Sequence, residues 1–304
     1  MKIKSLAALL LMWMSGPLPV LADEFDPNAT QPADQIIYPT AQVLPASHLQ
    51  VQAGYVNLVG RDGWTPAFRI GLAGVGEIEW TQLGFYSDLQ VARATIPTVG
   101  IKLRLPSPLP FLDLAVSLYN AQQWQYRPSD EVGIAFGADY AAVDLRSVDF
   151  ESIYSRLDFM ASLAVGRSLR LYPSVYYLES KSRNLEAVWG QPWDDYRYYD
   201  QPEVRKDPLV GYGLGFTLAT DPDLTYLAHW VMQPQYHFDT EAEQLTLQPR
   251  HVWVAGLRYR LFNRLHLNVG AFNDEAAGSL SDVQVYAMLN FLLDPSLFRG
   301  AFRK

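Results

Sequence analysis

From residue 48 to residue 293 the apolar side chains return at every second position, the period of a strand whose two faces meet different surroundings. The stretch 209–219 shows it most sharply. Val210, Tyr212, Leu214, Phe216 and Leu218 fall on one face, and Gly211, Gly213, Gly215 and Thr217 on the other. A soluble sheet turns its large face to a core and a polar face to water. Here the second face is small and uncharged, as in a wall with lipid on one side and a crowded lumen on the other.

The alternation recurs. Leu49, Val51, Ala53 and Tyr55 interleave with Gln50, Gln52 and Gly54, and Phe68, Ile70 and Leu72 with Arg69 and Gly71. Val99, Ile101, Leu103 and Leu105 interleave with Gly100, Lys102 and Arg104. Leu112 to Leu118, Leu157 to Val165, Trp253 to Tyr259 and Leu265 to Ala271 repeat the pattern, with fainter strands near 76–86, 169–180, 224–234 and 282–293. The expectation is about twelve strands of roughly ten residues, each long enough to cross a bilayer when tilted. Connections alternate in length. Short ones fall at 73–76, 106–110, 166–168, 220–223 and 262–264; longer ones are expected at 60–66, 87–94, 124–154, 181–208, 235–249 and 274–281.

A secreted sandwich or lipocalin-like barrel also alternates. Strand length and the regular short–long order argue against it. So do Trp64, Trp80, Trp124, Tyr177, Trp230, Trp253, Tyr259 and Phe262, which sit near strand ends as an interfacial girdle does. On these features the chain resembles the Gram-negative outer-membrane β-barrels, a porin-like member of about twelve strands in particular. The resemblance implies an all-β fold: one antiparallel transmembrane barrel over 48–293, with short periplasmic turns and long extracellular loops. It also implies location in the outer membrane, with membrane lipid, lipopolysaccharide, the barrel-assembly machinery and small solutes as partners. Such barrels commonly close on a strand with a C-terminal aromatic residue. Here the last clear strand ends near Phe291 and Leu292, and a tail follows over 294–304.

Residues 1–22 read as an export signal: Lys2 and Lys4, an apolar run from Leu6 to Met14, then Val20-Leu21-Ala22 ahead of Asp23. The run is shorter than the ~20 residues of a spanning helix. Residues 23–47 are expected to form an extended periplasmic lead.

Composition narrows the chemistry. The 304 residues include no cysteine, which removes disulfides, thiolate metal sites and lipidation at an N-terminal cysteine. A net charge of −8 with no basic cluster gives no expectation of a nucleic-acid partner. No metal or cofactor motif is present. His48, His229, His237, His251 and His266 are scattered, and none lies in a Gly-x-Ser-x-Gly or His-Glu-x-x-His setting. A lipid-modifying enzyme is therefore the third function class, behind a passive channel and a structural or adhesive barrel.

Two candidate sites emerge. Glu77, Glu79, Lys102, Arg104, Asp113, Arg170, Arg258, Arg260 and His266 all project from the non-lipid face near the short-turn end. The first eight are expected to ring the lumen, either as a plug of cross-strand salt bridges or as an anion-attracting constriction. Trp189, Trp193, Tyr196, Tyr198 and Tyr199 cluster with carboxylates in the 181–208 loop, where they either recognise a ligand or pack into the barrel mouth.

Overall fold

The computed structural model describes residues 40–58, 61–81, 92–127, 144–166, 168–190, 197–221, 223–239, 241–262, 265–274 and 283–293. They form thirteen strands: β1 (Leu49–Leu58), β2 (Arg61–Leu72), β3 (Gly76–Thr81), β4 (Ala92–Leu105), β5 (Leu112–Arg127), β6 (Asp144–Val165), β7 (Leu169–Gly190), β8 (Arg197–Gln201), β9 (Arg205–Asp221), β10 (Leu224–Asp239), β11 (Gln244–Phe262), β12 (Leu265–Asp274) and β13 (Gln284–Leu293). Every pairing is between antiparallel neighbours. β1 pairs β13 and β6 pairs β7, so the sheet closes on itself. β9 lies against β7 from Leu169 to Ser182, and β8 continues along β7 from Leu185 to Trp189. The two therefore share one place on the circumference, and the result is a closed antiparallel barrel of twelve strand positions.

Burial is inside out. Along β9 the outward residues Val210, Tyr212, Leu214, Phe216 and Leu218 are exposed, and the inward Gly211, Gly213, Gly215 and Thr217 are buried. Phe68, Ile70, Ile78, Ile101, Phe159 and Leu289 are exposed in the same way, whereas Arg69, Glu77, Lys102, Arg156, Asp158 and Arg258 are among the most buried side chains. Water would not tolerate such an apolar belt around such an interior; a bilayer requires it. This barrel is of the outer-membrane type. The β9 glycines answer a packing need. Tyr176 of β7 lies over Gly211, where a Cβ would overlap its ring.

The strands end at unequal heights. β6 and β7 run for 22 residues each, while β1, β12 and β13 run for 10. Much of what the sequence suggested as long loops is thus ladder. β1 and β2 stay paired to Leu58 and Arg61, so residues 61–66 of the expected 60–66 loop are ladder, and the 235–249 loop is a hairpin paired through Asp239 and Gln244. The 181–208 loop begins as the top of β7, continues in β8 and ends as β9. Above the lipid belt neither strand face needs to be apolar, so the period-two signal fades while pairing continues.

One hairpin leaves the wall. β10 pairs β9 only as far as Val231, and β11 pairs β12 only from Val252 downward, so residues 232–251 form a free two-stranded ribbon. Two-stranded ribbons twist more than sheets do. The ribbon leans over the lumen and sets Tyr236, Phe238 and Leu245 into one apolar cluster with Val148, Phe150 and Tyr154 of β6 and Leu178, Leu185 and Trp189 of β7. The signal segment and the 294–304 tail lie outside the described residues.

Candidate functional site: the barrel lumen

The lumen near the short turns is not empty of chain. Thr40, Ala41 and Leu44 are almost fully buried. The Ala41 amide donates to Ser162 Oγ of β6 at 3.2 Å, and the Leu44 amide to Glu77 Oε2 of β3 at 2.9 Å. Ala41 packs on Ala115 and Met160, which face inward from β5 and β6. On β2 a Cβ at Gly71 would overlap the Pro45 carbonyl oxygen, so only glycine lets the segment lie this close. The described part of the expected periplasmic lead is therefore a plug segment, seated inside the barrel on the β2–β6 wall. Its mix of Ala41, Val43 and Leu44 with polar neighbours suits a lumen that is neither lipid nor water.

The same wall carries a chain of ion pairs. Lys102 Nζ meets Glu77 Oε1 at 2.6 Å, with both side chains buried. Arg69 Nε lies 3.3 Å from Glu79 Oε2, and Tyr119 donates to the same carboxylate at 3.5 Å. Arg156 pairs Asp158, which also accepts from Ser117 at 3.4 Å, and the Arg156 guanidinium lies 3.8 Å above the Tyr176 ring. Arg104 and Asp113 meet at 2.5 Å nearer the mouth, where the pair is part-exposed. Cross-strand register sets these contacts: Glu77 faces Lys102, Lys102 faces Ser117, and Ser117 faces Asp158. The tight turn after β2, with Ala73 and Gly74 at positive φ, helps hold Arg69 opposite Glu79.

Of the eight residues expected to ring the lumen, Glu77, Glu79, Lys102, Arg104 and Asp113 come together on the β3–β5 wall. Arg170 is half-buried at the foot of β7, in register with Thr217. Arg258 and Arg260 stand on the opposite wall; Arg258 donates to Asn268 Oδ1 at 3.0 Å and Arg260 pairs Asp223 at 2.6 Å. His266 is fully buried beside them, and His229 lies deeper on β10. The ring also contains Arg69, Arg156 and Asp158, none of which the sequence marked as a lumen charge. Their partners were the missing signal: Arg69 pairs across a turn, and Arg156 pairs along its own strand.

The two walls differ in where their carboxylates stand. Among the described residues, no Asp or Glu occurs in 224–231, 252–262, 265–272 or 285–293, the barrel part of β10–β13. The carboxylates of the inner belt stand on β3, β5 and β6.

The aromatic loop candidates divide. Trp189 is buried against Phe238 (ring centroids 5.2 Å apart) and Tyr199 (6.4 Å), inside the ribbon's apolar cluster. Tyr198 is exposed, and local desolvation, together with nearby Glu186 and Asp200, holds its hydroxyl above the ordinary pKa. Trp193 and Tyr196 lie outside the described residues. Tyr236, buried in the cluster with its hydroxyl 2.5 Å from Ser180 Oγ, is pushed up to about 12 by desolvation. On the outer surface Tyr212, Trp230, His251 and Trp253 form a stacked aromatic patch, with Trp230 and His251 parallel at 5.1 Å. Tyr259 and Phe262 are exposed at the opposite end of β11. The two groups lie where interfacial girdles lie.

No family model and no curated protein matches the chain. Solved structures do. The translocator domain of the autotransporter NalP from Neisseria meningitidis aligns at 12% identity with a TM-score of 0.42, over 81% of this chain and 86% of that one. The NanC porin aligns at 9% identity and a TM-score of 0.41, over 80% of this chain and 98% of that one. The KdgM porin, solved with oligogalacturonate, aligns at 7% identity and a TM-score of 0.40, over 81% and 98%.

Proposed function

We propose that the protein is an outer-membrane channel for small solutes, narrowed at its periplasmic end by residues 40–46. The observation that carries this reading is the polar belt itself. It runs around the wall through Gln50, Arg69, Glu77, Lys102, Ser117, Asp158, Arg258, Asn268 and Asn290, all buried from bulk solvent and all facing the lumen. A barrel built only for mechanical strength gains nothing from burying that many charges, because each must be compensated. A polar conduit requires them. Transport thus accounts for the inner wall better than catalysis does. The plug accounts for how a wide barrel avoids leaking.

A sealed structural barrel is the competing reading, favoured by the near-complete burial of Leu44 and Ala41. Liposome swelling separates the two. Proteoliposomes of the full chain should swell in small sugars or amino acids at rates that fall with solute size. Liposomes that never swell would leave the structural reading in place. On the outer face, Lys181 of β7 stands directly opposite Lys206 of β9, above the last apolar row of Tyr177 and Val210. Lys181 Nζ already lies 3.9 Å from Glu179 Oε1, and lipopolysaccharide phosphates are the further anion that two facing cations at this height would take, since like charges directly opposite repel.

A further inference from the structure

We propose that the plug and the ribbon are coupled: a buried relay across β3–β7 carries the seating of Leu44 to Met232, the root of the ribbon, so that unseating the plug loosens that root. The inference goes beyond the channel reading and does not depend on conduction.

The ribbon begins where β10 leaves β9. Val231 is the last β10 residue in register with β9, and Met232 follows it. The Met232 carbonyl oxygen accepts from the Tyr176 hydroxyl at 2.7 Å. Tyr176 stands on β7, two strand positions from β10. Its ring crosses β9 on the inner face at Gly211, where a Cβ would overlap it. The same ring packs in the ribbon's apolar cluster. Tyr176 thus fastens the ribbon to the wall at the point where the ladder no longer does.

Tyr176 also ends a row of the ion-paired wall. Glu77, Lys102, Ser117, Asp158 and Tyr176 lie directly opposite one another on five successive strands. The Leu44 amide donates to Glu77 Oε2 at 2.9 Å, and Glu77 Oε1 meets Lys102 at 2.6 Å. Lys102 attracts Asp158, which accepts from Ser117 at 3.4 Å and pairs Arg156. The Arg156 guanidinium lies 3.8 Å above the Tyr176 ring.

Glu77, Lys102, Arg156 and Asp158 are almost wholly buried, so a lost partner is made good by its neighbours and not by bulk water. Without the Leu44 amide, Glu77 draws Lys102 closer, and Lys102 acts less on Asp158. Asp158 then holds Arg156 more tightly and away from the Tyr176 face. The ring loses its cation and holds Met232 less firmly. Phe238 remains on Trp189. The root loosens while the tip stays packed.

Hydrogen exchange over residues 229–234, with the full chain folded in detergent, tests the coupling against a chain lacking residues 40–46. Removing the plug should speed exchange at the root about fivefold or more, the lower end of ordinary coupling between sites. Exchange over 265–274, on the far wall, should stay unchanged. Tyr176→Phe keeps the ring and loses the hydroxyl. Alone it should speed the root, and removing the plug in that background should add nothing, since coupled sites are not additive. Leu44→Pro removes the amide donor and replaces the deletion should the shortened chain fail to fold. Faster gel migration without boiling confirms that each variant is a folded barrel. A root unchanged by loss of the plug, an equal further increase in the Tyr176→Phe background, or equal acceleration over 265–274 would each overturn the coupling. A barrel that shows the coupling but passes no solute would retain it and end the channel reading alone.

Discussion

At the short-turn end, what fills the lumen is held by polar groups: backbone amides on Ser162 and Glu77, a buried Glu77–Lys102 pair, and Arg69 on Glu79. At the far end, the ribbon over 232–251 is held by rings and aliphatic groups: Phe238 on Trp189, Phe150 on Tyr236 at 4.8 Å between centroids, and Leu245 among them. Polar contacts are directional and exchange readily for water, so releasing the plug exposes only the apolar contacts of Leu44 and of Ala41 on Ala115 and Met160. Lifting the ribbon would expose an aromatic cluster. The difference assigns movement to one end and rigidity to the other.

The strongest challenge to this contrast is Glu77→Gln. It leaves Lys102 buried without its carboxylate, and breaking a buried pair this way costs about 3–5 kcal/mol. Denaturant unfolding of the folded barrel should show a loss of that size, together with faster proteolysis near residues 40–46. Next comes Leu245→Ala at the ribbon. Truncating a buried leucine costs roughly 2–5 kcal/mol, and the loss should appear as faster hydrogen exchange confined to 232–251. Equal exchange gains at both ends would erase the contrast. Arg104→Gln should cost about 1 kcal/mol or less, because that pair is part-exposed.

The smallest effect is pH-dependent and belongs to the ribbon turn. The amides of Ala242 and Glu241 donate to the Asp239 carboxylate and hold its pKa below the ordinary value. A lowered folded value means the stabilisation is present above the unfolded pKa and is lost as pH falls through the folded one. The Glu241 and Ala242 amide NMR shifts should stay constant near neutrality and move together only in acid, and Asp239→Asn should abolish that step.

Several of these features were readable in the chain because lipid imposes a strict rule. Ile101 to Leu105 against Lys102 and Arg104 has one register that keeps charge out of the bilayer, Val210 to Leu218 against Gly211 to Thr217 has one that turns the bulky face to lipid, and the fold adopts both. Above the belt that rule lapses. Glu179 to Arg183 on β7 alternates no apolar face, so paired strand looked like loop. Tyr236 and Phe238 do alternate, but they share the parity of outward-facing Trp230; only the ribbon's twist turns them inward. The plug has no period at all. Its one legible trace is the apolar trio Ala41, Val43 and Leu44, ahead of a glycine at position 71 that makes room for it. Trp189 resembled a ligand platform for a similar reason, since an aromatic residue that fills a core and one that stacks on a sugar read alike in sequence.

Single-channel recording in planar bilayers tests the central claim most directly, with the full chain compared against a chain lacking residues 40–46. The account predicts discrete conductance steps in the full chain and larger steps, at unchanged gel mobility of the folded barrel, once the segment is removed. Silence from both proteins, or identical steps from both, would contradict it.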